Sequence, residues 1–241
     1  MILKIALLIW SIIHEIIFIL RLFRRDSFLA PNNKKSTWWS GVQHRRSRCK
    51  NSYLFICSSA GEFEQAKPLI SKLNHTSDYI HILFFSKSGY NFAQKTQEPH
   101  DYSMLPPDSI WRCREVLSYI RPNKTIVVRH EIWPAILAES KKYGRNILVN
   151  ASFKKREVNS FTTQMFNKIY ANLYKLFDEI YVVSQEDKRV LSQNTSLNTI
   201  PIFVSGDTKY DRALERAKEK ETEAKDLRES LEPYHGQSQK L

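Results

Sequence analysis

The strongest constraint on the fold is an alternation of short apolar segments with longer helical ones, which repeats from residue 51 to residue 211. The apolar segments are rich in β-branched and aromatic residues and lie at 53–57, 80–85, 125–128, 146–149, 179–183 and 200–204. Neighbouring parallel strands need a crossover connection, which is usually a helix. Five or six strands that alternate with helices therefore predict an α/β protein with a doubly wound parallel sheet.

The composition fits one large domain, or one domain with appendages. The chain has 241 residues, of which 42% are hydrophobic, so it can bury a sizeable core. Its formal net charge of +12 favours an anionic partner, but charge alone does not choose among nucleic acid, phospholipid and a phosphorylated substrate. The three cysteines show neither a CxxC pair nor a zinc-type spacing, so we expect reduced thiols in a cytosolic domain.

Residues 1–25 are predicted to form a membrane anchor helix, because residues 2–23 are almost all apolar. Glu15 interrupts this segment at a cost in hydrocarbon, and the charge-free part is shorter than the roughly 20 residues of a straight span. A helix that lies in the membrane interface therefore competes with a spanning helix, and a buried helix of a soluble domain is a third interpretation. Three arginines place the body of the protein on the cytoplasmic side, namely Arg21, Arg24 and Arg25.

The remaining chain divides by composition into three parts. Residues 26–50 form a basic connector, whose cluster at 44–50 suits anionic headgroups or phosphates, although a solvated connector would have the same composition. Residues 51–211 form the α/β domain. Residues 212–241 are predicted to be an exposed charged helix and a frayed tail, because glutamate, lysine and arginine interleave there without an apolar stripe.

A carboxylate follows the first predicted strand, in the sequence SSAGEFE at residues 58–64. Glu62 lies near the start of the next predicted helix, and ligands of open α/β sheets bind beyond the carboxyl ends of the strands. Gly61 permits a tight turn or a close approach of the backbone to a substrate, and Ser59 joins it as a substrate-binding candidate. The alternative is that Glu62 or Glu64 only caps the helix and complements its dipole.

Two further strand ends carry polar residues. Glu131 follows the predicted strand 125–128 beside Arg129 and His130, where the alternative is a plain surface ion pair. The loop after the second strand presents hydroxyls, an amine and a glycine to phosphate or sugar oxygens, although it lacks the GxxxxGK[ST] spacing of a P-loop. Its substrate-binding candidates are Ser86, Lys87, Ser88 and Gly89.

The order of these motifs resembles one enzyme family. An apolar N-terminal helix is followed by SSAGEFEQAKPLI (58–70), SKSGY (86–90), RHEIWP (129–134), NAS (150–152) and VSGDTKYD (204–211). This set resembles the N-terminal half of the 3-deoxy-D-manno-octulosonic acid (Kdo) transferases, and the resemblance covers residues 1–215. The family implies a Rossmann-like domain that forms the N-terminal half of a two-domain GT-B glycosyltransferase and faces the membrane and the acceptor.

The resemblance also implies an activity in lipopolysaccharide biosynthesis. It is an inverting transfer of Kdo from CMP-Kdo to a lipid A precursor at the cytoplasmic face of the cell inner membrane, with no metal and no cofactor. Glu62 matches the family's general base, which would deprotonate an acceptor hydroxyl as its oxygen attacks the anomeric carbon. Glu131 and Lys209 match the two residues assigned to transition-state stabilisation, and a lysine suits charge that develops near the departing CMP phosphate.

The sequence departs from the family pattern at two places. The family motif NAR is NAS here, so Ser152 replaces a guanidinium that could bind a phosphate or carboxylate at two points. The family would also continue after Asp211 into a second α/β domain that binds CMP-Kdo, and this donor-binding domain is absent from the sequence. We therefore expect little or no Kdo transfer by this chain alone, since catalysis depends on holding both reactants in register.

Two functions from different classes follow from the sequence. One is the acceptor-side domain of a Kdo transferase, to which a donor domain belongs in a longer protein or as a separate chain. The other is a non-catalytic module that binds anionic glycolipid at a membrane surface. A nucleic-acid partner is not expected, because the basic residues are scattered over loops and no DNA- or RNA-binding motif is present.

Overall fold

The computed structural model of the chain describes residues 2–23, 35–73, 76–96, 98, 100–129, 131–153, 172–193 and 197–235. Within them one sheet contains seven strands: β1 (Asn51–Cys57), β2 (Asp78–Phe84), β3 (Asp101–Met104), β4 (Lys124–Val128), β5 (Arg145–Ala151), β6 (Glu179–Val182) and β7 (Ile202–Val204). The strand order is β3-β2-β1-β4-β5-β6-β7, and every neighbouring pair is parallel. The predicted Rossmann-like, doubly wound α/β fold is therefore confirmed.

The helices of the described residues are α1 (Ile2–Phe23), α2 (Lys35–Ser47), α3 (Ala60–Ile70), α4 (Lys87–Lys95), α5 (Ile110–Ile120), α6 (Pro134–Ser140), α7 (Gln185–Ser192) and α8 (Thr208–His235). Four of them begin after a serine whose hydroxyl accepts a hydrogen bond from the backbone N–H three residues later. This cap satisfies one of the N–H groups that a helix leaves without a partner at its start. The capping serines are Ser59, Ser86, Ser109 and Ser184.

The strand order reverses between β1 and β4. From β1 the chain proceeds outward through β2 to β3, and then crosses to β4 on the other side of β1. The helices that follow β1 and β4 therefore pack on opposite faces of the sheet. Open α/β sheets bind ligands in a crevice at the carboxyl edge beside such a reversal, so we expect the ligand crevice of this sheet there.

The sheet has an apolar layer on each face, as the near-continuous apolar strands predict. Alternate residues of β1 point to opposite faces, so Leu54 and Ile56 pack into one layer and Phe55 and Cys57 into the other. Helices α3 and α4 cover the face of Phe55, through Phe63, Ala66 and Ala93. Helices α2, α5 and α6 contribute buried residues to the other layer, including Trp39, Val42, Leu117 and Ile136.

The N-terminal helix α1 docks on the domain through its polar residues. Trp10 donates from Nε1 to Asp108 Oδ2 at 2.7 Å, and Glu15 forms an ion pair with Arg112 at 3.1 Å. The opposite side of α1 exposes aliphatic side chains, including Leu8, Ile9, Ile12, Ile13, Ile16 and Ile17. Among the described helices, none is both long enough and apolar enough to span a membrane.

Part of the predicted basic connector is an ordered helix. Residues 24–34 lie outside the described ranges, but α2 follows them and buries Trp39 and Val42 against the core. Arg45 of α2 forms a two-point ion pair with Asp101 at the start of β3, with N–O distances of 2.8 and 2.9 Å. Two apolar side chains and one ion pair thus hold α2 on the sheet. The charge-rich composition of the connector did not indicate that this segment would pack on the domain.

The charged C-terminal helix begins at Thr208, four residues before the predicted start at residue 212. Its first turns pack on α3, where Arg212 forms an ion pair with Glu64 at 2.7 Å and both side chains are mostly buried. From residue 216 to residue 226 the side chains of this helix are exposed. The aromatic-rich helix that the sequence predicts at 160–176 lies largely outside the described residues.

Candidate active site

The first carboxylate of the site belongs to the turn between β1 and α3. Ser59 caps α3 by accepting from Glu62 N at 3.4 Å, which places Glu62 in the first turn of the helix. The Glu62 carboxylate turns back toward the helix start, where it accepts from the backbone N–H groups of Ser58 and Ser59. Glu62 therefore does cap its own helix, as the alternative interpretation predicted, and it is also half-buried beneath the crevice.

The second carboxylate meets the first across the switch point of the sheet. Glu131 follows β4, and its carboxylate accepts a hydrogen bond from the hydroxyl of Ser58. The backbone N–H of the same serine donates to Glu62. Ser58 is buried and so holds both carboxylates at the carboxyl ends of β1 and β4.

The environment of Glu62 raises the pKa of its carboxyl group. Burial is the largest cause, because it disfavours the charged form, and the neighbouring Glu131 adds like-charge repulsion. The N–H groups of Ser58 and Ser59 and the charge of Arg129 act in the opposite direction. A carboxylate with a raised pKa is a stronger base once it is ionised, which suits the abstraction of a proton from a hydroxyl group.

Lys209 lies in the first turn of α8, which is fastened to α3 next to Glu62. Thr208 donates from Oγ1 to the backbone oxygen of Gln65 at 2.6 Å, and Asn150 donates from Nδ2 to Thr208 Oγ1 at 2.5 Å. Gln65 is three residues after Glu62, which is about one helical turn. The Lys209 side chain is exposed, and its backbone N–H donates to Asp207 at 2.9 Å. The structure thus brings the elements that carry Glu62, Glu131 and Lys209 to one edge of the sheet.

The serine-rich loop after β2 lies against the turn that carries Glu62. Ser86 donates from its backbone N–H to Ser58 O at 3.0 Å, and its side chain caps α4. Gly89 is buried, and a Cβ atom added to it would lie 3.0 Å from Ala60 N and from Ser59 C. Gly89 therefore allows the starts of α3 and α4 to approach closely. Gly61 is exposed, as are Lys87 and Ser88, which remain accessible to a ligand.

Ser152 stands where the family motif has arginine. Its side chain faces α7, away from the two carboxylates. Its hydroxyl hydrogen-bonds to the carboxylate of Asp187 in the first turn of that helix. The Asp187 carboxylate also accepts from Phe153 N at 2.5 Å and from Ser184 Oγ at 2.5 Å. Burial alone would raise the pKa of this carboxyl group, but the hydroxyls of Ser184 and Ser152 and the backbone N–H groups of Phe153 and Ser184 favour its charged form and lower its pKa.

Sequence reasoning did not single out Ser58 or Asn150 as organisers of the site. Ser58 stands inside the SSAGEFE motif, but only the tertiary contact with Glu131 reveals its role. Asn150 is the penultimate residue of β5 and has a φ of 55°. Asparagine tolerates this left-handed conformation better than most residues, which is the one signal that the sequence offered. Within the described ranges, no three His, Cys, Asp or Glu side chains are grouped so that they could hold a metal ion.

Comparisons with known proteins identify the same family. The family model described as "3-Deoxy-D-manno-octulosonic-acid transferase (kdotransferase)" matches residues 31–212. A 3-deoxy-D-manno-octulosonic acid transferase from Rickettsia typhi is 25% identical over 145 residues, which are 59% of this chain and 31% of that protein. A protein of the same description from Rickettsia felis is 29% identical over 134 residues, which are 54% of this chain and 28% of that protein.

A third relative has a broader description. A bifunctional glycosyltransferase/methyltransferase from Fusobacterium nucleatum is 27% identical over 172 residues, which are 68% of this chain and 26% of that protein. The matched stretches span less than a third of the length of these relatives. The family model, in contrast, matches well over half of this chain, with the motifs at the strand ends of a Rossmann-like sheet. The chain belongs to the 3-deoxy-D-manno-octulosonic-acid transferase family.

Proposed function

We propose that this chain is the acceptor-side domain of a glycosyltransferase that moves Kdo from CMP-Kdo to a lipid A precursor, with Glu62 as the general base. The observation that carries the proposal is the meeting of Glu62 and Glu131 at the switch point of the sheet, where Ser58 binds both. The lipid A precursor binds in the crevice above them. CMP-Kdo binds mainly to a donor domain, which is either part of a longer protein or a separate chain.

The chemistry follows from the charges at this edge. Glu62 takes the proton of an acceptor hydroxyl as its oxygen forms a bond to the anomeric carbon of Kdo. The bond between that carbon and the CMP phosphate breaks, and the phosphate keeps the electron pair. Lys209 offsets negative charge on the leaving phosphate, while Glu131 stabilises the positive charge that develops on the sugar. The donor needs no cofactor in this scheme, because the phosphate ester itself supplies the leaving group.

The surface of α1 supports a membrane partner for the same reaction. Its outward face consists of aliphatic side chains, while Ser11 and Glu15 face the domain. Such a helix is suited to lie in the membrane interface, with the basic helix α2 close to anionic headgroups. We propose the cytoplasmic face of the inner membrane as the location, because the lipid acceptor would be presented there.

A non-catalytic glycolipid-binding module is the second candidate. It is favoured by the hydrogen bonds that turn the Glu62 carboxylate toward its own helix start, and by a serine in place of the arginine of the family motif. In that case the lipid would bind to the crevice and no sugar would be transferred.

The test is Kdo transfer from CMP-Kdo to lipid IVA by membranes that contain the chain, with and without a separately supplied donor domain. Glu62→Gln removes the base but keeps the shape of the side chain. Glu115→Gln is the matched control, because Glu115 is exposed on α5. Product that disappears in Glu62→Gln and persists in Glu115→Gln is the expected result. No product in any setting, with lipid IVA still bound by the chain, would support the non-catalytic module instead.

A further inference from the structure

Arg129 occupies an unusual backbone conformation at the edge of the candidate site. It follows β4 directly, and its N–H donates to Val149 O at 2.8 Å, which extends the pairing of β4 with β5 by one bond. Its φ is 73°, in the left-handed region that non-glycine residues rarely adopt. Such conformations persist where the surrounding structure fixes them, and they are concentrated at functional sites.

The guanidinium of Arg129 reaches the elements that carry the other site residues. Its Nε donates to Gln65 Oε1 at 2.9 Å, one helical turn beyond Glu62 on α3. Its Nη2 lies 3.8 Å from Asp207 Oδ2, on the loop that leads to Lys209. This second distance is too long for a hydrogen bond. Arg129 therefore belongs to the segment of Glu131 and lies between the elements of Glu62 and Lys209.

The two contacts leave the outer part of the guanidinium accessible. Gln65 occupies the Nε–H, while the side chain of Arg129 is 38% exposed. Asp207 Oδ2 stays 3.8 Å from the outer edge of the guanidinium, and the other oxygen of this carboxylate accepts from Lys209 N at 2.9 Å. A guanidinium with a free pair of N–H groups binds carboxylates and phosphates at two points.

We propose that Arg129 is an anion-binding residue of this site, which takes a carboxylate or phosphate group of the substrate between α3 and the start of α8, where Lys209 lies. The family motif provides a guanidinium after β5, where this chain has Ser152. Arg129 would provide a guanidinium from the end of β4 instead. The identity of the anion rests on the proposed function, since Kdo carries a carboxylate and both CMP-Kdo and lipid A precursors carry phosphate. The binding of an oxyanion by Arg129 does not depend on that function.

The experiment titrates the 15N-labelled chain with inorganic phosphate and, separately, with free Kdo, and follows the backbone and arginine Nε signals by NMR. Arg129→Gln removes the charge and keeps a side chain that can hydrogen-bond. Arg114→Gln is the matched control, because Arg114 is an exposed arginine on α5 that pairs with Glu139. Thermal unfolding by circular dichroism establishes that each variant is folded.

We expect saturable shifts of the Arg129 signals with at least one probe, a weakening of that binding by tenfold or more in Arg129→Gln, and no change in Arg114→Gln. Binding of Kdo alone would identify the sugar carboxylate as the anion, and binding of phosphate alone would identify a phosphate group. The proposal is overturned if the wild-type chain binds neither probe, or if folded Arg129→Gln binds as tightly as the wild type.

The two proposals fail separately. The anion site would stand and the enzymatic function would be refuted if Arg129→Gln lost anion binding but the wild type transferred no Kdo. Kdo transfer by a chain whose Arg129→Gln variant binds both probes normally would retain the function and refute the anion site.

Discussion

Replacement of Gly89 by alanine is expected to destabilise the contact that aligns the site. The new Cβ would lie 3.0 Å from Ala60 N, Ser59 C and Phe84 Cδ1, so backbone atoms on the α3 side must move by a few tenths of an ångström. Overpacking of this kind typically costs about 1–3 kcal/mol. Gly61→Ala is the matched control, because its Cβ would meet only Ser59 Oγ, at 3.8 Å.

Both glycines lie in the first turn of a helix, so the gain in helix propensity on replacement by alanine is similar and cancels in the comparison. We therefore expect the free energy of unfolding of Gly89→Ala to be about 1–3 kcal/mol lower than that of Gly61→Ala, so that it unfolds at a lower urea concentration. Urea titrations followed by far-UV circular dichroism measure this difference. Equal free energies of unfolding for the two variants would refute the close approach of α3 and α4 at Gly89.

Three further changes probe other parts of the structure. Asp108→Ala should lower the free energy of unfolding by about 2–4 kcal/mol, as measured by urea titration. The substitution leaves Trp10 Nε1 and the buried N–H groups of Ala135 and Ile136 without their acceptor. An unchanged urea midpoint would contradict this role of Asp108. Arg212→Ala should weaken the contact of α8 with Glu64, which Arg216 also pairs with at 2.7 Å, and cost about 1–3 kcal/mol. Proteolysis after residue 208 should become faster, and an unchanged cleavage rate is the contrary result. Glu62→Gln should become more stable relative to the wild type as the pH rises from about 4 toward 7. The pKa of Glu62 is raised on folding, so the folded state holds this proton more tightly and the wild type loses stability as the carboxyl group ionises. Paired urea titrations at the two pH values would show no such change if folding left the pKa of Glu62 unaltered.

Much of the sheet could be predicted from the sequence because its strands are short apolar runs. The run predicted at 53–57 is the C-terminal part of β1, and its apolar residues on both sides correctly indicated a strand that helices cover on both faces. Position at a strand end also singled out both Glu62 and Glu131 as site candidates, and the structure brings the two together through Ser58. Strand ends are informative because all carboxyl ends of a parallel sheet lie on the same side.

Features that depend on tertiary contact could not be predicted in the same way. Helix α2 has a polar composition, and it packs on the sheet through the burial of Trp39 and Val42 and the ion pair of Arg45 with Asp101. The start of α8 was placed too late, because the bonds of Thr208 to Gln65 and Asn150 are not visible in the local sequence. The left-handed conformation of Arg129 has no sequence signal, since arginine does not favour it.

Glu62 is proposed as the general base of a sugar transfer, and the rate of Kdo transfer from CMP-Kdo to lipid IVA measures this role. The rate is compared between the wild type and Glu62→Gln, each with the donor domain supplied. General base catalysis contributes about 10²–10⁴-fold to a rate, so we expect a loss of at least about 100-fold in Glu62→Gln. The wild-type rate should also rise with pH as Glu62 ionises. Transfer of Kdo by Glu62→Gln at the wild-type rate would refute a general-base role for Glu62.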